Sequence, residues 1–184
     1  GGLAIFIAMI AQISISNYLN YNIDWLFLIA ACPVFFLGLT EDILGKVHPY
    51  FRLFGAFLSG VIFIILKGII ITDLGFSFLN IFISNKAVGF IITILAIGLF
   101  INSVNIIDGL NGLSMGCSII MLICISGINY NLTNQINDII IYVSLISIIL
   151  GILIFNFPNA KIFLGDGGAY LIGCLIAFYG IRLS

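Results

Sequence analysis

Charge is what this sequence has least of. Six lysines and arginines and seven aspartates and glutamates make up 7% of its 184 residues, where a soluble domain carries roughly 25%. That scarcity excludes water as the main solvent of the fold. No run of basic residues occurs and the net charge is −1, which excludes a nucleic-acid surface, since that needs a basic stripe. The four cysteines, Cys32, Cys117, Cys124 and Cys174, lack CxxC spacing and sit in or beside apolar runs. They read as small buried hydrophobes.

What is present is hydrocarbon: 62% of the residues are hydrophobic, in long runs with short polar breaks. The pattern predicts an all-α polytopic membrane protein with about seven transmembrane helices, over Gly1 to Leu19, Trp25 to Leu39, Phe51 to Leu66, Ala87 to Val104, Leu113 to Ile128, Ile139 to Phe157 and Ala169 to Ile181. Several of these fall short of the ~20 residues that cross ~30 Å of hydrocarbon, so they borrow polar residues at their ends or lie partly within the protein. A secretory signal would explain one run, not seven. No linker or repeat divides the chain, and residues 1–184 read as a single membrane domain. Pro33 is expected to kink the second span, and Pro49 and Pro158 to punctuate helix ends.

Seven spans place the breaks alternately on two sides. One side receives residues 40–52, 105–112 and 157–168, with Glu41, Asp42, Asp108, Asp166, Lys46, Arg52, Lys161 and the sole histidine, His48. The other receives 20–24, 67–86 and 129–138, which read as connecting loops and include an Asn131-Leu132-Thr133 sequon. Lysine and arginine divide three against three, so they do not orient the chain.

Three stretches on the first side could carry chemistry. In NSVNIIDGLNGLSMG (102–116), Asn102, Asn105, Asp108 and Asn111 recur every third residue, and a continuous helix of 3.6-residue period would scatter them. Gly109 and Gly112 allow a break. We therefore expect a helix ending near Asn105, a tight turn, and a new helix near Asn111 or Gly112, whose free N–H groups attract anions. A polar loop that caps two spans is the alternative. The adjacent Glu41 and Asp42 repel unless a cation joins them, and magnesium commonly takes one or two carboxylates and completes its shell with phosphate oxygens. The alternative is local pairing of Glu41 with Lys46 and of Asp42 with Arg52. In AKIFLGDGGAYLIG (160–173), Asp166 stands among Gly165, Gly167 and Gly168, a nest suited to pyrophosphate, with Lys161 adding positive charge; a glycine turn capped by aspartate is the alternative. Three acidic loops on one membrane face suggest a metal-dependent site that joins a charged water-soluble substrate to a lipid.

The ordered set GLTEDILGKVHPYFRL, NSVNIIDGLNGLSMG and NFPNAKIFLGDGGAYLIG resembles the polyprenyl-phosphate N-acetylhexosamine-1-phosphate transferases, over essentially the whole chain. The resemblance implies a Mg²⁺-dependent transfer of a sugar-1-phosphate from a UDP-sugar to a polyprenyl phosphate such as undecaprenyl phosphate, with release of UMP. It implies an inner (plasma) membrane location with the motif loops cytoplasmic, and leaves room for a homodimer. By position, Asp166 matches the metal ligand, Asn105 a group near metal and pyrophosphate, Asp42 the residue acting on the lipid phosphate, Asp108 an active-site carboxylate, Asn111 the uracil position and Arg52 a basic residue of the loop after the acidic pair. Glu41 and Lys161 join the expected substrate-binding set. Two positions depart from the family pattern: Glu41 stands where many members have aspartate, and Asn111 replaces the aspartate of DGLDGL. The family also carries spans before and after these motifs, so the chain is expected to be a fragment. A small ion-coupled transporter, with these acids lining a path, is the rival reading. It requires acids at mid-span, and here they gather at one side.

Overall fold

A computed structural model describes the chain apart from residues 22, 76–79, 81, 82, 84, 135 and 184, and apart from the side chains of residues 136–138. The described residues form seven helices: α1 Gly2–Tyr18, α2 Leu26–Leu44, α3 Pro49–Lys67, α4 Lys86–Ile107, α5 Leu113–Thr133, α6 Ile136–Asn156 and α7 Gly165–Ile181. A helix covers each of the seven stretches expected to span, with its bounds shifted by up to a few residues. Five of them, α2 to α6, are long and apolar enough to cross a membrane, and the protein is a multi-pass α-helical membrane protein. At 17 residues each, α1 and α7 are about 25 Å long.

The helix ends follow local chemistry. Pro49 starts α3, where its missing N–H is no loss, and Asn85 Oδ1 accepts the Ala87 N–H at 3.0 Å to open α4. Helix α2 stops at Gly45, which adopts a left-handed conformation. Two expectations change here. Glu41 and Asp42 lie inside the last turns of α2 rather than in a loop, because nothing before Gly45 breaks the helix. The sequon lies inside α5, which runs to Thr133 before Asn134 ends it with φ 54°. Much of the expected 67–86 loop lies outside the described residues. Pro33 sits within α2 without ending it, and Ser59 Oγ of α3 accepts the Val34 N–H beside it at 3.3 Å, meeting the disturbance a mid-helix proline causes.

Helix α7 is the centre of the molecule. Every residue from Gly167 to Tyr179 is buried, as expected of a helix that is apolar on all sides. It packs on α2, α4, α1, α5 and α3, and its rings stack on theirs: Tyr179 on Phe27 with centroids 4.7 Å apart, Phe178 on Phe63 at 4.4 Å. At its start the backbones nearly touch. A Cβ on Gly38 of α2 would lie 2.6–2.8 Å from main-chain atoms of Asp166 and Gly167, so only glycine permits that approach.

Candidate active site

Alternation of the helices brings the ends of α2, α4 and α6 and the starts of α1, α3, α5 and α7 to one face. On the opposite face Lys67 pairs with Asp24; burial opposes ionisation of that carboxyl, but the Lys67 partner holds it below its ordinary value.

On the first face the side chains converge on the start of α7. Arg52, from the first turn of α3, pairs with Asp166 Oδ2. Asn105, near the end of α4, donates from Nδ2 to Asp166 Oδ1 at 3.0 Å. Asp42, near the end of α2, accepts the Asp166 N–H at 2.7 Å and the Gly167 N–H at 3.0 Å. Residues more than 120 positions apart thus meet around one helical turn, and the Arg52–Asp166 pair is largely shielded, with 22% and 27% of the side chains exposed.

The NIIDGLNG turn forms beside this cluster. α4 continues to Ile107, two residues past the expected end, and Asp108 caps it; Gly112 then turns the chain with φ 76° into α5. Burial pushes the Asp108 carboxyl up to about 6, and the charges of Asp166 and Asp42 push it the same way. Asn111 is exposed two residues before α5 and donates to the Pro158 carbonyl at 3.1 Å, tying this turn to the 157–164 loop. Asn102 turns back onto the Gly98 carbonyl of its own helix and takes no part.

Local pairing within the 40–52 stretch does not occur. Arg52 goes to Asp166 instead of Asp42, and Glu41 Oε2 accepts the Val47 N–H at 2.7 Å, closing the α2–α3 connection. Lys161 is exposed and has no ion pair among the described residues.

Sequence reasoning missed Asn156. It is 4% exposed at the end of α6, accepts the Gly112 N–H at 2.6 Å and donates to the Ile162 carbonyl at 2.9 Å. An asparagine closing an apolar run just before Phe-Pro was the available signal. It holds the turn after α4 and the loop before α7 at a fixed separation.

The family model for glycosyl transferase family 4 matches residues 25–184. The chain belongs to glycosyl transferase family 4. It is 32% identical over 152 residues to a phospho-N-acetylmuramoyl-pentapeptide-transferase of Streptococcus agalactiae serotype Ia, covering 80% of this chain and 44% of that relative. It is 30% identical over 186 residues to the Bacillus subtilis "Probable undecaprenyl-phosphate N-acetylglucosaminyl 1-phosphate transferase", covering 98% of this chain and 50% of the relative. A decaprenyl-phosphate N-acetylglucosaminephosphotransferase of Mycobacterium leprae shares 39% identity over 85 residues, 42% of this chain and 21% of the relative. The chain spans about half the length of the first two. All three motif stretches lie within the matched region of this glycosyl transferase family 4 chain, and its Asp166, Asn105, Arg52 and Asp42 are the residues the structure gathers.

The donor set suits a divalent cation. Asp166 and the Asn105 amide meet at one point, and beside them burial first, and the charges of Asp166 and Asp42 second, oppose ionisation of Asp108, so a cation bound there would relieve an excess of negative charge. Among the described residues no three acidic, imidazole or thiolate groups form a cage for an ion. Magnesium needs none, since it keeps waters and takes phosphate oxygens beside one or two carboxylates.

Proposed function

We propose that the protein transfers an N-acetylhexosamine-1-phosphate from a UDP-sugar to undecaprenyl phosphate or a related polyprenyl phosphate, as a first membrane step of cell-envelope polysaccharide synthesis. The observation that carries this reading is the convergence of Arg52 and Asn105 on Asp166 at one end of a membrane bundle. In the reaction an oxygen of the lipid phosphate forms a bond to the β-phosphorus of the UDP-sugar, the bond from that phosphorus to the bridging oxygen breaks, and UMP leaves with the electron pair.

Two phosphate-bearing reactants repel each other, so catalysis is mainly positioning and charge stabilisation. Arg52, held on Asp166 at the start of α7, would supply a guanidinium to phosphate oxygens bound there. Asp166 and the Asn105 amide oxygen would hold Mg²⁺. That ion, when bound, screens the reactants' charge and stabilises the departing phosphate. Asp108 sits where a proton can be held near neutral pH, within the field of the other two acids. Asn111 and the turn fixed by Asn156 border the nucleotide end. Because UDP-sugars are water-soluble cytoplasmic metabolites, this face is the cytoplasmic side of a plasma (inner) membrane.

Membranes containing the full-length protein are incubated with undecaprenyl phosphate and a panel of UDP-sugars, and UMP is measured. Release should require Mg²⁺ and fall about a hundredfold or more in Asp166→Asn, the scale of losing one electrostatic stabiliser. Full activity in EDTA, or in Asp166→Asn, refutes the mechanism.

A further inference from the structure

We propose that Asp42 is a positioning residue: it caps α7 from a neighbouring helix and so fixes the direction of Asp166. Its carboxylate would then have no direct role on the lipid phosphate. The proposal rests on the function proposed above for the meaning of Asp166, but its structural half stands without it.

The first turn of every helix leaves N–H groups unpaired, and a side chain at the N-cap ordinarily accepts one of them. Helix α7 begins after Leu164, which has no acceptor, and no local side chain caps it. Asp42 fills that vacancy across 124 residues of chain. One carboxylate oxygen takes the Asp166 N–H and the other takes the Gly167 N–H, so both oxygens are committed to main-chain donors. The negative charge also lies at the positive end of the α7 dipole.

Two glycines make the fit. A Cβ on Gly165 would stand 2.7–2.9 Å from the Asp42 carboxylate atoms, so the bare α-carbon, at φ 77°, is the seat on which the carboxylate rests. Gly38 precedes Asp42 by four residues and therefore shares its face of α2; it is the residue whose backbone meets that of Asp166 and Gly167. A contact and a cap, one helical turn apart, lock α2 to the turn that carries Asp166. With its own amide held by Asp42 and its carboxylate held by Arg52 and Asn105, Asp166 is restrained from both ends.

A base and a cap fail differently when altered. Asparagine at position 42 cannot serve as a base. As a cap it keeps one acceptor but turns an N–H₂ toward the second amide, which loosens the turn without abolishing it. Amide exchange of a peptide spanning 165–170 is followed by mass spectrometry in wild type, Asp42→Asn and Asp42→Ala, and UMP release is titrated with Mg²⁺. Exchange at Asp166 and Gly167 should be slow in wild type and about ten- to a hundredfold faster in both variants, the weight of a charge-assisted hydrogen bond. Half-saturating Mg²⁺ should rise in Asp42→Asn, with kcat at saturating Mg²⁺ within about tenfold of wild type. Fast exchange in wild type, unchanged exchange in Asp42→Asn, or loss of kcat at unchanged Mg²⁺ dependence each overturns the proposal. Should wild type release no UMP, the proposed function fails while the exchange data still decide whether Asp42 is the cap.

Discussion

Replacing Asp108 by asparagine should make the metal-free protein more stable at neutral pH and no more stable in acid. The folded state holds the Asp108 carboxyl at about 6 against an ordinary value of 3.8, a shift of about two units or ~3 kcal/mol at 1.36 kcal/mol per unit. Partial solvent exposure reduces this to roughly 1–2 kcal/mol. The sign follows from which state binds the proton more tightly. The folded chain does, so its stability is undiminished below the unfolded value of 3.8 and declines as pH rises through about 6. Asparagine does not ionise and escapes the decline. In detergent with EDTA, thermal melting of Asp108→Asn should exceed wild type by about 2–8 °C at pH 7, using ~2–4 °C per kcal/mol for a chain of this size, and match it near pH 4. Added Mg²⁺ should narrow the gap by raising the wild type. An equal difference at both pH values, or a variant less stable at pH 7, would show that burial and the neighbouring acids do not oppose ionisation of Asp108 as described.

Two stability experiments probe the scaffold. Gly38→Ala drives a methyl into the main chain of α7 and should cost about 1–3 kcal/mol, whereas Gly116→Ala, whose added carbon meets nothing within 4 Å, should be neutral or gain up to about 1 kcal/mol; paired melting curves compare them. Asn156→Ala abandons the Gly112 N–H and the Ile162 carbonyl and should cost about 1–3 kcal/mol, with faster amide exchange at Gly112 as the local signature.

The spans were legible because apolar runs of this length leave few alternatives, and the sidedness of the motifs followed from counting them. The boundaries were less so. Glu41 and Asp42 were expected in a loop because charges commonly end a membrane run; they remain helical because nothing breaks α2 before Gly45, and each carboxylate finds a main-chain donor, Val47 for one and Asp166 with Gly167 for the other. Arg52 was correctly placed on the acidic face, yet its choice of Asp166 over Asp42 depends on the angle at which α2, α3 and α7 meet. Asn156 was invisible for a related reason, since its two bonds reach residues on separate loops whose proximity only the packed bundle creates. Asn111, expected near a helix start, stops two residues short because Gly112 takes the left-handed turn and reserves the cap position for itself.

The central place of α7 bears on how the molecule is made. In chain order α7 follows all five helices it packs on, so the ribosome delivers the shared packing partner after those five have entered the bilayer. Until then Gly38 of α2, Gly173's neighbours Ile101 and Val104 on α4, and the aromatic faces of Phe27 and Phe63 have lipid in place of their final companion. Insertion of this one helix would convert a loose set of spans into an ordered bundle and, in the same event, bring Asp166 to the groups that wait for it.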